Sequence, residues 1–271
     1  MTDVFVSSSA PDTGTRRRIG PAGIVFASVW AIVAVGIVLY ILRNWNPDLF
    51  SRYGLPYLEG LWVTVTLVLA SFACGAVVSL PVALARMADT RFVRVPAFVF
   101  VYFFRGSPLI AQIFLVYYGF GEFRAFFETI GLWWFFREAW FCALFSLALN
   151  SAAYQAEILR GAIESVPKGQ WEGGRSLGLS RTVIFFKVVL PQAMIVALRP
   201  YANEIILMIK ASAIVAIITV YDLFGITRQA YSRTFDIQTY VWAAVLYLVL
   251  VEVLRRLTNL AEARLTRHLK R

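Results

Sequence analysis

Four ionisable side chains, Arg105, Glu157, Glu204 and Lys210, stand inside long apolar stretches of this 271-residue chain. At mid-bilayer depth such a group costs about 2.5–3.5 kcal/mol on insertion scales, so it must find a partner or face water. Gln112, Asn150, Gln155 and Asn203 are their neutral company. At 1.5 Å of rise per residue, Arg105 falls about 14 Å into its run from Pro96, and Glu157 about 9–12 Å into its own from Ser165. Matching depth predicts an ion pair between Arg105 and Glu157 across antiparallel neighbours. Gln112 and Asn150 lie level with each other one two-turn step further out. Asn150, Tyr154 and Glu157 share one helix face, at i, i+4, i+7 spacing. Two readings stay open: hydrogen bonds that tie helices together, or the lining of a path across the membrane. A deep carboxylate at Glu204 suits a cationic solute, while Asn203, Glu204 and Lys210 together are equally consistent with a structural or gating role.

A second set of residues is placed to act on a partner. The segment SVPKGQWEGGRSLGLSRTVIFFKVVLPQA occupies residues 165–193 between two apolar runs. Pro167 can open a helix, because its missing N–H lies where no intrahelical partner is needed. Gly178 is a helix terminator, since Gly adopts the left-handed conformation cheaply. Ser180 is a good N-cap for a second helix from Arg181. The spacing predicts a short helix, a sharp turn and a second helix entering the next apolar run. Such an element projects from the bilayer and can be pushed.

The elements that must hold these residues are apolar runs. Hydrophobic residues make up 59% of the chain, charged residues 15%, and the mean hydropathy is +0.69; a soluble domain is nearer half apolar and a quarter charged. About twenty apolar residues cross ~30 Å of hydrocarbon. Six runs qualify, at residues 23–42, 58–85, 96–120, 139–161, 188–219 and 240–257, which predicts an all-α integral membrane protein. The runs are unbroken rather than alternating, which excludes an outer-membrane barrel. The first is read as an uncleaved anchor, too long for a signal-peptide core and lacking a small-residue cleavage site. Residues 1–22, rich in Ser, Thr and Pro, are expected to be a disordered tail.

The net charge of +10 marks topology rather than nucleic acid. With the amino terminus inside, the cytoplasm receives Arg16, Arg17 and Arg18, then Arg86, Arg91 and Arg94, then Lys168, Arg175 and Arg181. It also receives the carboxyl-terminal group of Arg255, Arg256, Arg264, Arg267, Lys270 and Arg271 in a basic tail, residues 259–271. Only Arg43, Arg52, Arg124, Arg137, Arg228 and Arg233 fall outside, as the positive-inside rule requires. Trp133, Trp134, Phe135 and Phe136 fit an outer interfacial belt, and residues 121–137 and 222–236 are expected to be external.

The 165–193 segment carries a resemblance. Glu172, Gly178, Leu190 and Pro191 match in spacing the E-A-A-x3-G-x9-I-x-L-P signature of bacterial ABC importer permeases. Gly173 and Gly174 replace its alanines and Val188 its isoleucine. FRGSPLIAQIFLVYYG, residues 104–119, resembles the R-G-T-P-L-x-x-Q segment of the polar amino-acid permeases, with Ser107 in place of Thr. LALNSAAYQAEILRGAIESVPKGQ and YANEIILMIKASAI look like the same family. The likeness is strongest to M-type subunits of histidine and lysine/arginine/ornithine transporters and to opine permeases. It implies a permease domain over residues 57–258 with five spans, to which residues 23–44 add one. It implies a coupling segment, residues 165–191, in which Glu172, Gly173, Gly174, Gly178, Leu190 and Pro191 dock on an ATPase. It further implies a second, non-identical permease subunit, an external solute-binding protein and a place in the bacterial inner membrane with both termini cytoplasmic. Arg105, Gln112, Asn150, Tyr154, Glu157, Glu204 and Lys210 are the candidates for the translocation path of a polar, cationic amino acid or opine.

No G-x-x-x-x-G-K-[ST] sequence occurs, so this subunit is expected neither to bind nor to hydrolyse ATP. Cys74, Cys142 and the single histidine, His268, have no metal-ligand spacing, and no cofactor is implied. Two other classes are set against the importer. An ATP-independent carrier tends to show internal repeats with broken helices; the halves show no self-similarity, although Gly106, Ser107 and Pro108 can break one helix. A membrane-anchored nucleic-acid or lipid binder rests on the basic carboxyl terminus alone, which orientation already explains.

Overall fold

The computed structural model describes residues 20–265, and all regular structure among them is helical. The expected amino-terminal tail with Arg16, Arg17 and Arg18 lies, up to residue 19, outside the described residues, as do His268 and the basic residues from Arg267 onward. The chain divides into two compact units between Pro47 and Asp48. In the first, α1 (Pro21–Arg43) carries no charge before its last residue and starts with Pro at its first position, where a missing N–H costs nothing.

The second unit begins in α2 (Pro47–Arg86), 40 residues long; it starts well before the expected span at residue 58. After α3 (Arg91–Gly106) the chain bends by 106° into α4 (Leu109–Phe114), a π turn over Leu115–Gly119 and α5 (Phe120–Glu122). The expected span 96–120 is therefore two helices, not one. The cause is local. Pro108 forces Ser107 into the extended region, at φ −92° and ψ 148°, as the residue before a proline must be. Two short helices follow, α6 (Arg124–Thr129) and α7 (Trp133–Phe136). Phe136 is not in a surface belt: it is buried, with ring centroids 4.6 Å from Phe127 and 5.0 Å from Phe120. Trp134 does keep an exposed ring.

The centre of the unit is α8 (Ala139–Glu164). It lies against α3, α4 and α11, and its buried face is built from Ala143, Ser146, Ala148, Ser151, Ala152, Ala153, Ala156 and Ala162. Small residues let backbones approach closely where lipid supplies no hydrophobic drive between helices. Gly75 of α2 answers them: a Cβ there would sit 3.1 Å from the Ala148 carbonyl. Next come α9 (Lys168–Ser176), α10 (Arg181–Ile184), a π turn, and α11 (Leu190–Ser212), which ends in a 3-10 turn over Ala213–Ile218. In the expected external segment, α12 (Leu223–Thr234) is a helix capped by Asp222, whose Oδ1 accepts from the Gly225 N–H at 2.8 Å. Finally α13 (Gln238–Leu265) runs past the expected span end at residue 257. Tyr57 of α2 donates to the Thr239 carbonyl at 2.8 Å, tying the two ends of this unit together.

Among the described residues, three helical stretches are long and apolar enough to cross a membrane: Pro21–Arg43, Pro47–Arg86 and Arg181–Ile218. The bent pair Arg91–Gly106 and Leu109–Glu122 makes a fourth if it counts as one span. At 26 and 28 residues, α8 and α13 are long enough, at 1.5 Å per residue. They are more polar than the other three.

Candidate functional site

The break between α3 and α4 is held by the two neutral residues that depth matching put side by side. Ending a helix strands its last carbonyls. The Gln112 amide donates to the Phe104 carbonyl at 2.9 Å and to the Ser107 carbonyl and hydroxyl at 3.1 and 2.9 Å. Asn150 of α8 donates to the same Phe104 carbonyl at 2.8 Å and to Gln112 Oε1 at 3.1 Å. The spacing of Arg105, Ser107, Pro108 and Gln112 thus has a physical reason: proline breaks the helix, and glutamine four residues later refills the acceptors.

The break aims Arg105 along α8. Its guanidinium lies 5.0 Å above the Tyr154 ring and 3.9 Å from Glu157. That contact is the longest Glu157 makes, and the pairing expected from depth is a minor one. Arg86 of α2 reaches Glu157 at 3.0 Å, and Arg160 reaches the same carboxylate at 2.9 Å. Arg86 had the sequence signature of a topology marker at the end of a run. Its long side chain instead runs back into the bundle, where it is 16% exposed, as amphipathic stems allow. Arg160 also pairs with Glu164 at 2.7 Å. Three guanidiniums therefore meet two carboxylates, and the cluster keeps an excess positive charge. Beside it opens a cavity of about 290 Å³ lined by Phe98, Tyr102, Arg105, Tyr154 and Glu157.

Glu204 of α11 is buried, and the Ser151 hydroxyl donates to it at 3.2 Å. Gln155 donates both to Ser151 and to the Phe72 carbonyl, at 2.9 and 3.0 Å. Lys210 is not drawn into this network: it and Asn203 are exposed on α11. Arg105, Tyr154 and Glu157 thus form one group, Gln112 and Asn150 a second adjoining it, Glu204 a third, and Lys210 stands apart.

The 165–193 segment folds as an elbow. Pro167 precedes α9, which stops at Ser176. Gly178 adopts φ +73°, and two hydrogen bonds close the turn: Gly178 N–H to the Arg175 carbonyl at 2.9 Å, and Leu179 N–H to the Gly174 carbonyl at 3.1 Å. This is the Schellman arrangement that a left-handed glycine terminates. The Ser180 hydroxyl then accepts from the Val183 N–H at 3.4 Å and starts α10. A π turn over Phe185–Val189 widens the helix just before Pro191, where a proline lacks its N–H and would clash in a tight turn. The two glycines differ. A Cβ on Gly173 would meet nothing, whereas one on Gly174 would lie 2.7 Å from Ile184 Cγ1. Gly174 serves close packing of α9 on α10; Gly173 does not. Glu172 and Gly173 are exposed, and Leu177 at the tip is 78% exposed.

Residues 75–267 match the family described as binding-protein-dependent transport system inner membrane component. The chain is 42% identical over 208 residues to the nopaline transport system permease protein NocM of Agrobacterium fabrum, covering 76% of this chain and 86% of that one. It is 37% identical over 227 residues to the histidine/lysine/arginine/ornithine transport system permease protein HisM of Escherichia coli K12, covering 83% and 94%. A crystal structure of an amino acid ABC transporter with histidines superposes with TM-score 0.70 and 31% identity, over 79% of this chain and 96% of that one. The MetNI methionine ABC transporter, at TM-score 0.67 and 20% identity over 79% and 98%, shares the fold.

Proposed function

The chain belongs to the binding-protein-dependent transport system inner membrane component family, and from that premise we propose that it is the permease of an ATP-driven importer for cationic amino acids or opines. It is a non-catalytic subunit; ATP hydrolysis resides in a separate partner. The observation that carries the reading is the elbow. Glu172, Gly173, Gly174, Gly178, Leu190 and Pro191 build a short exposed helix, a glycine-locked reversal and a direct helical connection through α10 into α11. Force applied to α9 by an ATPase is transmitted into the bundle along that connection.

Around it we place six membrane spans, with α8 and α13 completing the set, both termini and the elbow cytoplasmic, and α6, α7 and α12 external. Residues 23–44 form an added span outside the permease domain, residues 57–258. The partners are an ATPase, an external solute-binding protein and a second permease, related but not identical. The excess positive charge beside Arg105 suits the carboxylate of a passing amino acid, and Glu204 suits its cationic end.

Reconstitution with the ATPase and binding protein in liposomes tests the reading, with labelled arginine, histidine and nopaline as solutes. Uptake should require ATP, both partners and this chain. Uptake that persists without the ATPase would instead identify an ATP-independent carrier.

A further inference from the structure

A cavity of about 470 Å³ opens between the 3-10 turn and α12, lined among others by Thr219, Tyr221, Arg228, Gln229, Tyr231 and Tyr240. None of these residues belongs to the groups described above. Its floor is shaped by two backbone constraints. Thr219 adopts the left-handed conformation at φ +65°, and Gly225 packs so closely that a Cβ would lie 2.5 Å from the Val220 carbonyl. Arg228 Nη1 donates to the Ala216 carbonyl at 3.3 Å, which anchors the guanidinium at the cavity wall. A guanidinium has five N–H donors, and no carboxylate pairs with Arg228 among the described residues. The nearest acid in sequence, Asp222, is fully buried and turned into the cap of α12. One turn further along α12, Tyr231 meets Tyr240 of α13, ring centroids 5.0 Å apart, with the exposed Tyr221 at the rim.

An anchored guanidinium with free donors recognises a carboxylate bidentately, and phenol faces beside it accept a cationic or apolar remainder. We propose that this cavity is an external receiving site for the carboxylate of an amino acid or opine, with Arg228 binding the carboxylate and Tyr231 and Tyr240 holding the rest. The assignment rests on the importer reading and on its placement of α12 outside.

Proteoliposomes of the complete complex, treated from outside with phenylglyoxal and read by mass spectrometry at Arg228, test it. Histidine, which has no guanidinium to consume the reagent, should protect Arg228, whereas histidine amide, which lacks the carboxylate, should not. At saturating loaded binding protein, Arg228→Gln should lower the maximal uptake rate about tenfold, the worth of one charged hydrogen bond, and Arg228→Lys should lose less. Equal protection by the amide, or wild-type uptake by Arg228→Gln, would overturn the site. So would a variant that only needs more binding protein for the same maximal rate, since the groove would then be a protein-docking surface. Wild-type uptake indifferent to the ATPase would defeat the importer reading itself, a result separate from these.

Discussion

Asn150 donates its side-chain amide to the Phe104 carbonyl at 2.8 Å, so the central helix closes a gap in the backbone of its neighbour. That carbonyl also accepts from Gln112, so losing Asn150 removes hydrogen bonds without orphaning the acceptor, at about 0.5–1.5 kcal/mol each. Asn150→Ala should lower thermal stability in detergent by that amount for each bond. Gln112→Leu, which removes four bonds at the same break, should cost more. Equal and negligible losses would show that the break is held by packing alone.

The Glu157 cluster ranks its own partners. Arg86 and Arg160 contact the carboxylate at about hydrogen-bond length and Arg105 at 3.9 Å. Double-mutant cycles should therefore give a larger coupling for Arg86–Glu157 than for Arg105–Glu157. Removing Glu157 leaves the half-buried Arg86 without its carboxylate and Arg160 with Glu164 alone, and should cost about 1–3 kcal/mol. Because Arg105 is the more exposed, Arg105→Ala should affect transport more than stability. The reverse ranking would place Arg105, not Arg86, as the structural partner.

Gly173 and Gly174 should respond oppositely to alanine. At Gly173 the new methyl meets open space, and the helix gains up to about 1 kcal/mol. At Gly174 it meets Ile184, so the substitution should destabilise unless Ile184→Ala makes room. Stability of the two single variants and of Gly174→Ala with Ile184→Ala decides this.

Asp222 gives a pH dependence with a definite sign. Burial pushes its carboxyl from the ordinary 3.8 up to about 6. The folded state thus holds the proton more tightly than the unfolded one. Its contribution is fully present below about pH 4 and is lost as pH rises through about 6. Asp222→Asn keeps an acceptor for the Gly225 N–H. The stability difference between wild type and variant should shift in the variant's favour over that interval. A difference constant with pH would mean that the carboxyl is not protonated on folding.

What the sequence disclosed and what it hid follow from range. Gly178 and Ser180 act on hydrogen bonds within five residues, so the elbow is legible in the chain itself. Gln112 and Asn150 fall level on a straight-helix count, and they do meet at 3.1 Å, although Gln112 lies past a bend that the count ignores. The bend at Pro108 was foreseeable as a break, but its 106° angle was not. Arg86 was missed because an arginine at the end of an apolar run looks the same whether it meets lipid headgroups or a buried carboxylate. Phe136 was misplaced for a similar reason: an aromatic cluster at an interface has an inside as well as an outside. The groove at Arg228 left no periodic signal, since its walls come from a 3-10 turn, one face of α12 and the start of α13.

The central claim is that the elbow couples the bundle to an ATPase, and it turns on Gly178. At φ +73° a β-branched side chain is strongly disfavoured, although space around the position is open. Gly178→Val should therefore distort the end of α9 while leaving every membrane helix as buried as before. The measurement is ATP-dependent uptake in proteoliposomes beside co-purification of the ATPase subunit. The account predicts normal insertion with the ATPase lost, or hydrolysis retained without uptake. Normal insertion, a retained ATPase and wild-type uptake together would contradict it.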